Sequence, residues 1–242
     1  MTKFYLRTST VVTLIILVFI VFGCNKNQAD RANGNAIELM KKQKYTEAVK
    51  EFSAIVKEDK NYLPAYYNRA ICYSFLNKNR EAINDLNFVI SKQKFDEETY
   101  FNRAILFENQ KKYEAAIKDY NHLLTINPRN IQALHFRGIC RYYIKDYSGA
   151  VTDYNLAIKY GLNSSGVYYN KAVALDCLEQ YTKAIKYYDK AIKIDSKLER
   201  AYFARGIANL KNGNKEAAIS DIKQSEKLGF KKATNVLREI TG

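Results

Sequence analysis

An alanine recurs every 34 residues along most of the chain, and this spacing constrains the fold more than any other feature of the sequence. No insertion or deletion separates the six alanines, which are Ala48, Ala82, Ala116, Ala150, Ala184 and Ala218. A fixed period of about 20 to 50 residues is the signature of arrays in which each repeat is one supersecondary unit. If each alanine is position 20, six units occupy residues 29–62, 63–96, 97–130, 131–164, 165–198 and 199–232.

Other positions of the unit also keep their residue type. Position 8 is small in every unit (Ala36, Ala70, Ala104, Gly138, Ala172 and Gly206), and position 24 is large (Phe52, Leu86, Tyr120, Tyr154, Tyr188 and Ile222). Positions 4, 8 and 11 form one stripe on a first helix, and positions 17, 20, 21, 24 and 28 form a stripe on a second. Small residues allow the two helices to approach closely. We therefore predict helical hairpins that bury their faces only by stacking on one another.

The composition agrees with an all-helical chain. Only 10 glycines and 2 prolines occur in 242 residues, while 47% of the residues are hydrophobic. Such a low content of turn-forming residues excludes collagen-like and low-complexity chains and disfavours all-β folds.

The repeated residues resemble the tetratricopeptide repeat (TPR), which has a large residue at position 4, small ones at 8 and 20, and an aromatic at 24. Stretches such as Tyr67-Asn68-Arg69-Ala70 and Phe101-Asn102-Arg103-Ala104 are similar to a common variant of that repeat. The resemblance implies an all-α, right-handed α-solenoid, or superhelix, of six TPR helix hairpins. Residues 230–242 are expected to form a C-terminal capping helix with one apolar stripe. The first unit is expected to be the weakest, because Gly34 lies inside its helix.

The first 23 residues have the pattern of an export signal. Lys3 and Arg7 precede an apolar run, and the stretch 9–23 is shorter than the ~20 residues that a membrane-spanning helix needs. Val21-Phe22-Gly23-Cys24 resembles the lipobox of bacterial lipoprotein signal peptides. The resemblance implies cleavage before Cys24, lipidation of its thiol, a short linker at 24–28 and attachment to the cell envelope. Asn25 favours an outer membrane, because the family's inner-membrane signal is an Asp. The alternative is an uncleaved short anchor with an ordinary cysteine.

A charge pattern accompanies the repeats. Position 7 is Arg in the same four units in which position 23 is Asp, and in the fifth unit both change together, to Lys171 and Tyr187. We predict structural ion pairs between arginines of the first helices and aspartates of the second helices, within a unit or across neighbouring units. The residues concerned are Arg69, Asp85, Arg103, Asp119, Arg137, Asp153, Arg205 and Asp221. The alternative is a row of free arginines that binds an anion.

Helical geometry places positions 2, 5, 9, 12 and 13 opposite the packed stripe of the first helix. In TPR arrays this side lines a concave groove. The predicted groove residues, with the asparagines at position 6, are Tyr67, Asn68, Ile71, Phe101, Asn102, Ile105, His135, Ile139, Tyr142, Tyr143, Tyr169, Asn170, Val173 and Phe203. The alternative is that the side chains at positions 5 and 9 only join adjacent first helices. The lysine–asparagine carboxylate clamp of some TPR proteins is missing.

Candidate catalytic residues are missing from the repeats. The two histidines, His122 and His135, lie at unlike repeat positions, and no glycine-rich phosphate loop occurs. We therefore expect no enzyme activity, cofactor or metal. Cys72, Cys140 and Cys177 are expected to be reduced and mostly packed, because a whole unit separates the first two.

These observations predict a membrane-tethered TPR scaffold. It would mediate protein–protein interaction through an aromatic- and Asn-lined concave groove that holds a peptide or helix of another protein, including in the assembly of an envelope complex. The alternative is binding of an anionic polymer or membrane surface by the basic exterior, since the net charge is +14. Nucleic acid is not an expected partner of an exported chain.

Overall fold

The fold is that of a computed structural model, which describes residues 28–93 and 97–241. The predicted signal segment 1–23, Cys24 and most of the linker lie outside these residues. Thirteen helices and no strand occur in the described part. The predicted all-α class is therefore confirmed.

The helices are of similar length and follow one another at short turns. Their bounds are α1 28–41, α2 Tyr45–Glu58, α3 Leu63–Phe75, α4 Asn79–Lys92, α5 Glu97–Asn109, α6 Tyr113–Ile126, α7 Ile131–Tyr143, α8 Tyr147–Lys159, α9 Ser165–Cys177, α10 Tyr181–Ile194, α11 Glu199–Lys211, α12 Lys215–Lys227 and α13 Lys231–Thr241. Odd-numbered helices up to α11 are the first helices of the units, and even-numbered ones are the second. The capping helix α13 starts one residue after the predicted boundary.

Local sequence explains several helix starts. Asn130, Asp146, Ser164 and Asn214 each precede a helix, and each side chain accepts a hydrogen bond from the backbone N–H three residues later. This bond satisfies one of the amides that have no partner within the helix. Pro64 lies in the first turn of α3, where its missing N–H costs nothing.

Contacts divide the chain into two compact bodies, the first ending at Thr99 and the second beginning at Tyr100. In the first body, α1 to α3 pack around a core that includes Ala36, Ala48 and Phe52, and α4 packs on α3. Phe52 is completely buried, and burying such a side chain contributes about 1.5 to 3 kcal/mol.

In the second body, each helix from α6 to α13 packs on the next one, and the first helices α7, α9 and α11 also touch in succession. Tyr120, Tyr154 and Tyr188, all at position 24, are almost or fully buried. Tyr154 lies in a cluster with Ala150 and Ala174, while Tyr188 lies in one with Ala172 and Ala208. Large rings thus fill the holes beside the small residues, and the helical hairpins stack in the manner of a TPR solenoid.

No helix among the described residues combines the length and apolar character that crossing a membrane requires.

Candidate functional site

The predicted groove residues have a common degree of exposure. Thirteen of the fourteen are half-buried, and Tyr143 is the exposed one, with 56% of its surface accessible. The predicted row is therefore partly covered along most of its length.

Six of these residues surround one cavity of the second body, which we name the α7–α9 cavity. Its volume is about 350 Å³, and it is lined by Ile139, Tyr142, Tyr143, Tyr154, Tyr169, Asn170, Val173 and Arg200. The first three residues belong to α7, the next to α8, three to α9 and the last to α11. The volume lies at the lower end of the ~300–1,000 Å³ that is usual for ligand pockets. The cavity has room for one or two side chains.

Tyrosines form the walls of the α7–α9 cavity on both sides. On α7, the Tyr142 and Tyr143 rings meet edge to face at 5.6 Å, and Tyr143 stacks on Tyr113 at 4.7 Å. On α9, the Tyr169 ring lies 5.9 Å from the buried Tyr188. These contacts with neighbouring rings restrict the orientations of the tyrosines that form the walls.

The hydroxyl groups of Tyr142 and Tyr169 are neutral. Burial raises the pKa of Tyr169 above its ordinary value, and the neighbouring Arg200 partly offsets this effect. Burial, with a smaller contribution from the Cys177 thiol, raises the pKa of Tyr142 to about 12. Both hydroxyls can therefore donate and accept hydrogen bonds at neutral pH.

Two polar groups of the cavity have capacity for a ligand. No hydrogen bond of the Asn170 amide to another described residue is found, whereas Asn68, at the same repeat position, donates to Asn33 at 3.3 Å. The Arg200 side chain is 67% exposed, and its nearest carboxylate is that of Glu199 at 3.7 Å. This distance exceeds the ~2.7–2.9 Å of a charge-assisted hydrogen bond.

Other predicted groove residues have structural contacts instead. Phe101 packs against Tyr120 and Phe136, at 6.0 and 5.7 Å between ring centroids. Phe203 packs against Phe230, just before the capping helix, at 4.9 Å. These contacts agree with the alternative that position 5 joins helices, and Phe101 and Phe203 do not line the α7–α9 cavity.

His135 has an unusual environment. Its ring lies between Phe136 and Tyr154, and its Nε2 atom is buried with no hydrogen-bond partner among the described residues. Burial lowers the pKa of this histidine, so the neutral ring is favoured. Tyr67, Asn102 and Ile105 are half-buried, and they also lie outside the α7–α9 cavity.

The sequence pattern did not identify two of the lining residues. Tyr154 is predicted only as a core residue, although part of its ring reaches the cavity. Arg200 is at position 2, which helical geometry already places on the groove side, so its position could have identified it.

The four arginines at position 7 pair with the aspartates at position 23 of the same unit. Each guanidinium donates two hydrogen bonds to its carboxylate, at 2.5 to 2.9 Å, in Arg69–Asp85, Arg103–Asp119, Arg137–Asp153 and Arg205–Asp221. In such a bidentate pair the carboxylate balances the charge of the guanidinium. These arginines are therefore structural and do not form a free anion-binding row.

Three of these arginines also donate a hydrogen bond to the residue at position 25 of the preceding unit. Arg69 donates to Ser53 at 3.2 Å, Arg137 to Asn121 at 2.7 Å, and Arg205 to Asp189 at 2.6 Å. Each of these arginines thus joins two successive hairpins.

The fifth unit replaces the ion pair by a lysine–tyrosine contact. The Lys171 Nζ atom lies 3.6 Å from the centre of the Tyr187 ring, and the lysine is 5% exposed. A hydrogen bond from Lys171 to the tyrosine oxygen lowers the pKa of Tyr187. A cation–π contact therefore occupies the place of the salt bridge.

Free thiols occur at Cys72, Cys140 and Cys177. The first two are buried, as expected, but Cys177 is exposed, at the end of α9 beside Tyr142 and Tyr147. Within the described residues no group of three or more His, Cys, Asp or Glu side chains is placed to hold a metal ion.

Comparison with known proteins supports the repeat assignment. The tetratricopeptide repeat family matches residues 97–130 and 166–198. A comparison with curated proteins gave no significant match.

Several solved structures share the fold at low sequence identity. A TPR repeat-containing protein from Cytophaga hutchinsonii has a TM-score of 0.71 and 19% identity, over 81% of this chain and 78% of that one. MamA from Desulfovibrio magneticus has a TM-score of 0.67 and 21% identity, over 69% and 95%. YrrB, described as a TPR protein with an unusual peptide-binding site, has a TM-score of 0.69 and 14% identity, over 77% and 97%. The chain thus contains tetratricopeptide repeats and has the fold of TPR proteins, which is typically non-catalytic.

Proposed function

We propose that the protein is a lipid-anchored interaction scaffold of a bacterial cell envelope, which binds a segment of another protein in the groove of its TPR array. The observation that carries this proposal is the α7–α9 cavity. Six residues that the sequence predicted for the groove line one pocket there. Assembly of an envelope complex is the role that such a scaffold would serve.

The cavity suits a peptide better than a folded surface. Its volume of about 350 Å³ admits one or two side chains, while the tyrosine walls offer large contact area at low cost in side-chain entropy. Aromatic anchors in a pocket dominate the energy of many interfaces. The peptide-binding site of YrrB, which has the same fold, is consistent with this use of the groove.

Anchoring rests on the sequence around Cys24. The apolar run is too short to span a bilayer, and the lipobox-like residues that follow it place a cysteine where lipoproteins carry their acyl chains. Two or more acyl chains at ~0.8 kcal/mol per buried CH₂ would hold the protein firmly on a membrane.

Photo-crosslinking in the native envelope tests the interaction. A photoreactive amino acid at Tyr143, on the rim of the cavity, should capture a discrete partner that the same group at the exposed Lys186 of α10 does not capture. Tyr169→Ala should abolish the capture, whereas Tyr181→Ala, a half-buried tyrosine outside the cavity, should not. Identical products from both crosslinking sites would contradict a groove-bound partner. A steep fall of capture with salt would instead favour binding of an anionic polymer.

The anchor is tested by mass spectrometry of the protein extracted from membranes. The expected mass lacks residues 1–23 and includes acyl chains on Cys24. The Cys24→Ser variant should keep residues 1–23, because the cleavage site needs the modified thiol. An unacylated mass that includes residues 1–23 in both forms would argue for the uncleaved anchor.

A further inference from the structure

We propose that the α7–α9 cavity selects an extended peptide in which an apolar side chain stands next to an acidic one, and that Arg200 pairs with the carboxylate. This inference rests on the proposed function and names the chemistry of its ligand.

The apolar requirement comes from the lining of the cavity. Ile139 and Val173, both at position 9, face it from adjacent first helices, and the buried Tyr154 ring lies behind them. Burying an aliphatic or aromatic side chain against these groups contributes about 1.5 to 3 kcal/mol. A polar side chain placed against this apolar part of the lining would lose its water without gaining a hydrogen-bond partner there.

The requirement for an extended backbone comes from Asn170. Its side-chain amide carries a donor and an acceptor, as a peptide group does, and no hydrogen bond to another described residue is found for it. An extended chain in the cavity presents free N–H and C=O groups to this amide. A helical segment has already used those groups within its own backbone.

The acidic requirement comes from charge complementarity. Arg200 is exposed on the rim and has one distant carboxylate neighbour, whereas Arg205 on the same helix donates to both Asp221 and Asp189. Lys211, near the end of α11, pairs with Asp176 at 3.3 Å. The Arg200 guanidinium matches one singly charged carboxylate. Among the described residues that line the cavity there is no second cation, as a doubly charged phosphate group would require.

Selection from a random library tests the preference. The full chain in detergent is presented to phage-displayed random dodecapeptides, together with Arg200→Glu and with Arg238→Glu, a matched change on α13, away from the cavity. The original chain and Arg238→Glu should enrich peptides with an acidic residue within two positions of an apolar one. Arg200→Glu should lose this acidic enrichment and select basic residues there.

Affinities of synthetic peptides then measure the ion pair between Arg200 and the carboxylate of the peptide. One fluorescently labelled peptide carries the selected motif, and a second carries Gln in place of its acidic residue. Arg200→Ala should weaken binding of the acidic peptide about two- to five-fold, which is the range of an exposed ion pair. It should leave the affinity for the Gln peptide unchanged. Asn170→Ala should weaken both peptides, by about two- to ten-fold. Circular dichroism of each variant verifies that the helices persist.

The outcomes separate the inference from the proposed function. Enriched apolar peptides without acidic residues, insensitive to Arg200→Glu but lost in Tyr169→Ala, would overturn the acidic preference and leave the peptide groove intact. Failure to enrich any peptide, or enrichment insensitive to Tyr169→Ala, would overturn both.

Discussion

Individual charged residues join the two helices of a hairpin, and Asp153 is the most deeply buried of them. Its side chain is fully buried, and it accepts hydrogen bonds from Arg137 and also from Arg141 at 2.9 Å. Desolvation of these charges is tolerated because two guanidinium groups surround one carboxylate.

We expect Asp153→Asn to lower the free energy of unfolding by about 3 kcal/mol, because Arg137 and Arg141 lose their buried counter-charge. Urea denaturation followed by circular dichroism measures the change. The control is Asp189→Asn: this carboxylate is 52% exposed and pairs with Arg205, so its loss should cost no more than about 1 kcal/mol. Equal costs at the two sites would contradict a role for burial.

His135 gives stability a dependence on pH. Burial lowers its pKa in the folded chain, so the unfolded chain binds more protons between that pKa and the ordinary value of ~6.5. The contribution of the neutral ring is therefore fully present above pH ~6.5 and is lost as the pH falls below it. Urea midpoints from pH 7.5 to 5 should decline less in His135→Phe than in the original chain. Parallel curves would show that His135 does not contribute.

At the residue scale, the sequence predicted the contacts whose two partners change together. Arg and Asp are replaced in the same unit at positions 7 and 23, and this joint replacement indicates a contact from the sequence alone. The additional acceptor of the arginine, at position 25, is Ser53, Asn121 or Asp189. All three side chains have an acceptor oxygen, but only Asp189 is charged. A pattern based on charge could not identify them.

At the scale of elements, every hairpin turns at the same backbone conformation. Position 15 has a positive φ in all six units, at Gln43, Asn77, Lys111, Lys145, Glu179 and Gly213. Residues with side chains pay a steric cost in this conformation, which glycine avoids. Five units lack the glycine that would have indicated the turn, so the sequence predicted the turn by its polarity and length but not by its conformation.

A second element-level regularity joins successive units on the side of the predicted groove. Tyr45 stacks on Phe75 at 4.5 Å, and Tyr113 stacks on Tyr143 at 4.7 Å, in each case position 17 of one unit with position 13 of the next. Between the fifth and sixth units the same two positions hold Tyr181 and Lys211, and the Lys211 Nζ atom lies 5.3 Å from the centre of the Tyr181 ring. The exposed Phe75 and Tyr143 are thus members of a contact series between hairpins.

Glycines inside two helices should respond in opposite ways to alanine. An added Cβ at Gly34 in α1 meets no atom within 4 Å, so Gly34→Ala should raise the free energy of unfolding by about 0.5 to 1 kcal/mol. At Gly206 in α11 an added Cβ would lie 2.7 Å from a side-chain carbon of Ile222. Gly206→Ala should therefore lower the free energy of unfolding by about 1 to 3 kcal/mol. Urea titration of both variants measures the difference, and a stabilising Gly206→Ala would contradict the close packing at position 8.

At the scale of the whole molecule, the fold was easier to predict than the site. Six unslipped repeats determine hairpins and their order, because the same small and large residues must meet in each unit. The site is a cavity that remains where side chains do not fill the space between helices. Its place therefore depends on the packing of individual side chains and not on the repeat pattern. Phe101 and Phe203 occupy the same repeat position as Tyr169, yet only Tyr169 lines the cavity, since the other two are covered by neighbouring rings.

Stability should vary along the array, because each repeat contributes its own term and the terms of its interfaces. The first unit has Ala32 where the others carry a large residue, and Gly34 weakens α1. Hydrogen exchange should therefore be faster in the amides of α1 than in those of α9 and α10. Gly34→Ala should slow exchange in α1 without changing α9. Equal protection of α1 and α9 would contradict this gradient.

The residue at position 25 differs between the last repeat and the repeats before it. In the first five units this position holds Ser53, Asn87, Asn121, Asn155 or Asp189, whereas in the sixth it holds Lys223, on the helix α12 that precedes the capping helix α13. A seventh hairpin that arrived with its own arginine would meet a like charge there instead of an oxygen. Lengthening the protein by gene duplication should thus succeed between existing repeats and fail at its carboxyl end.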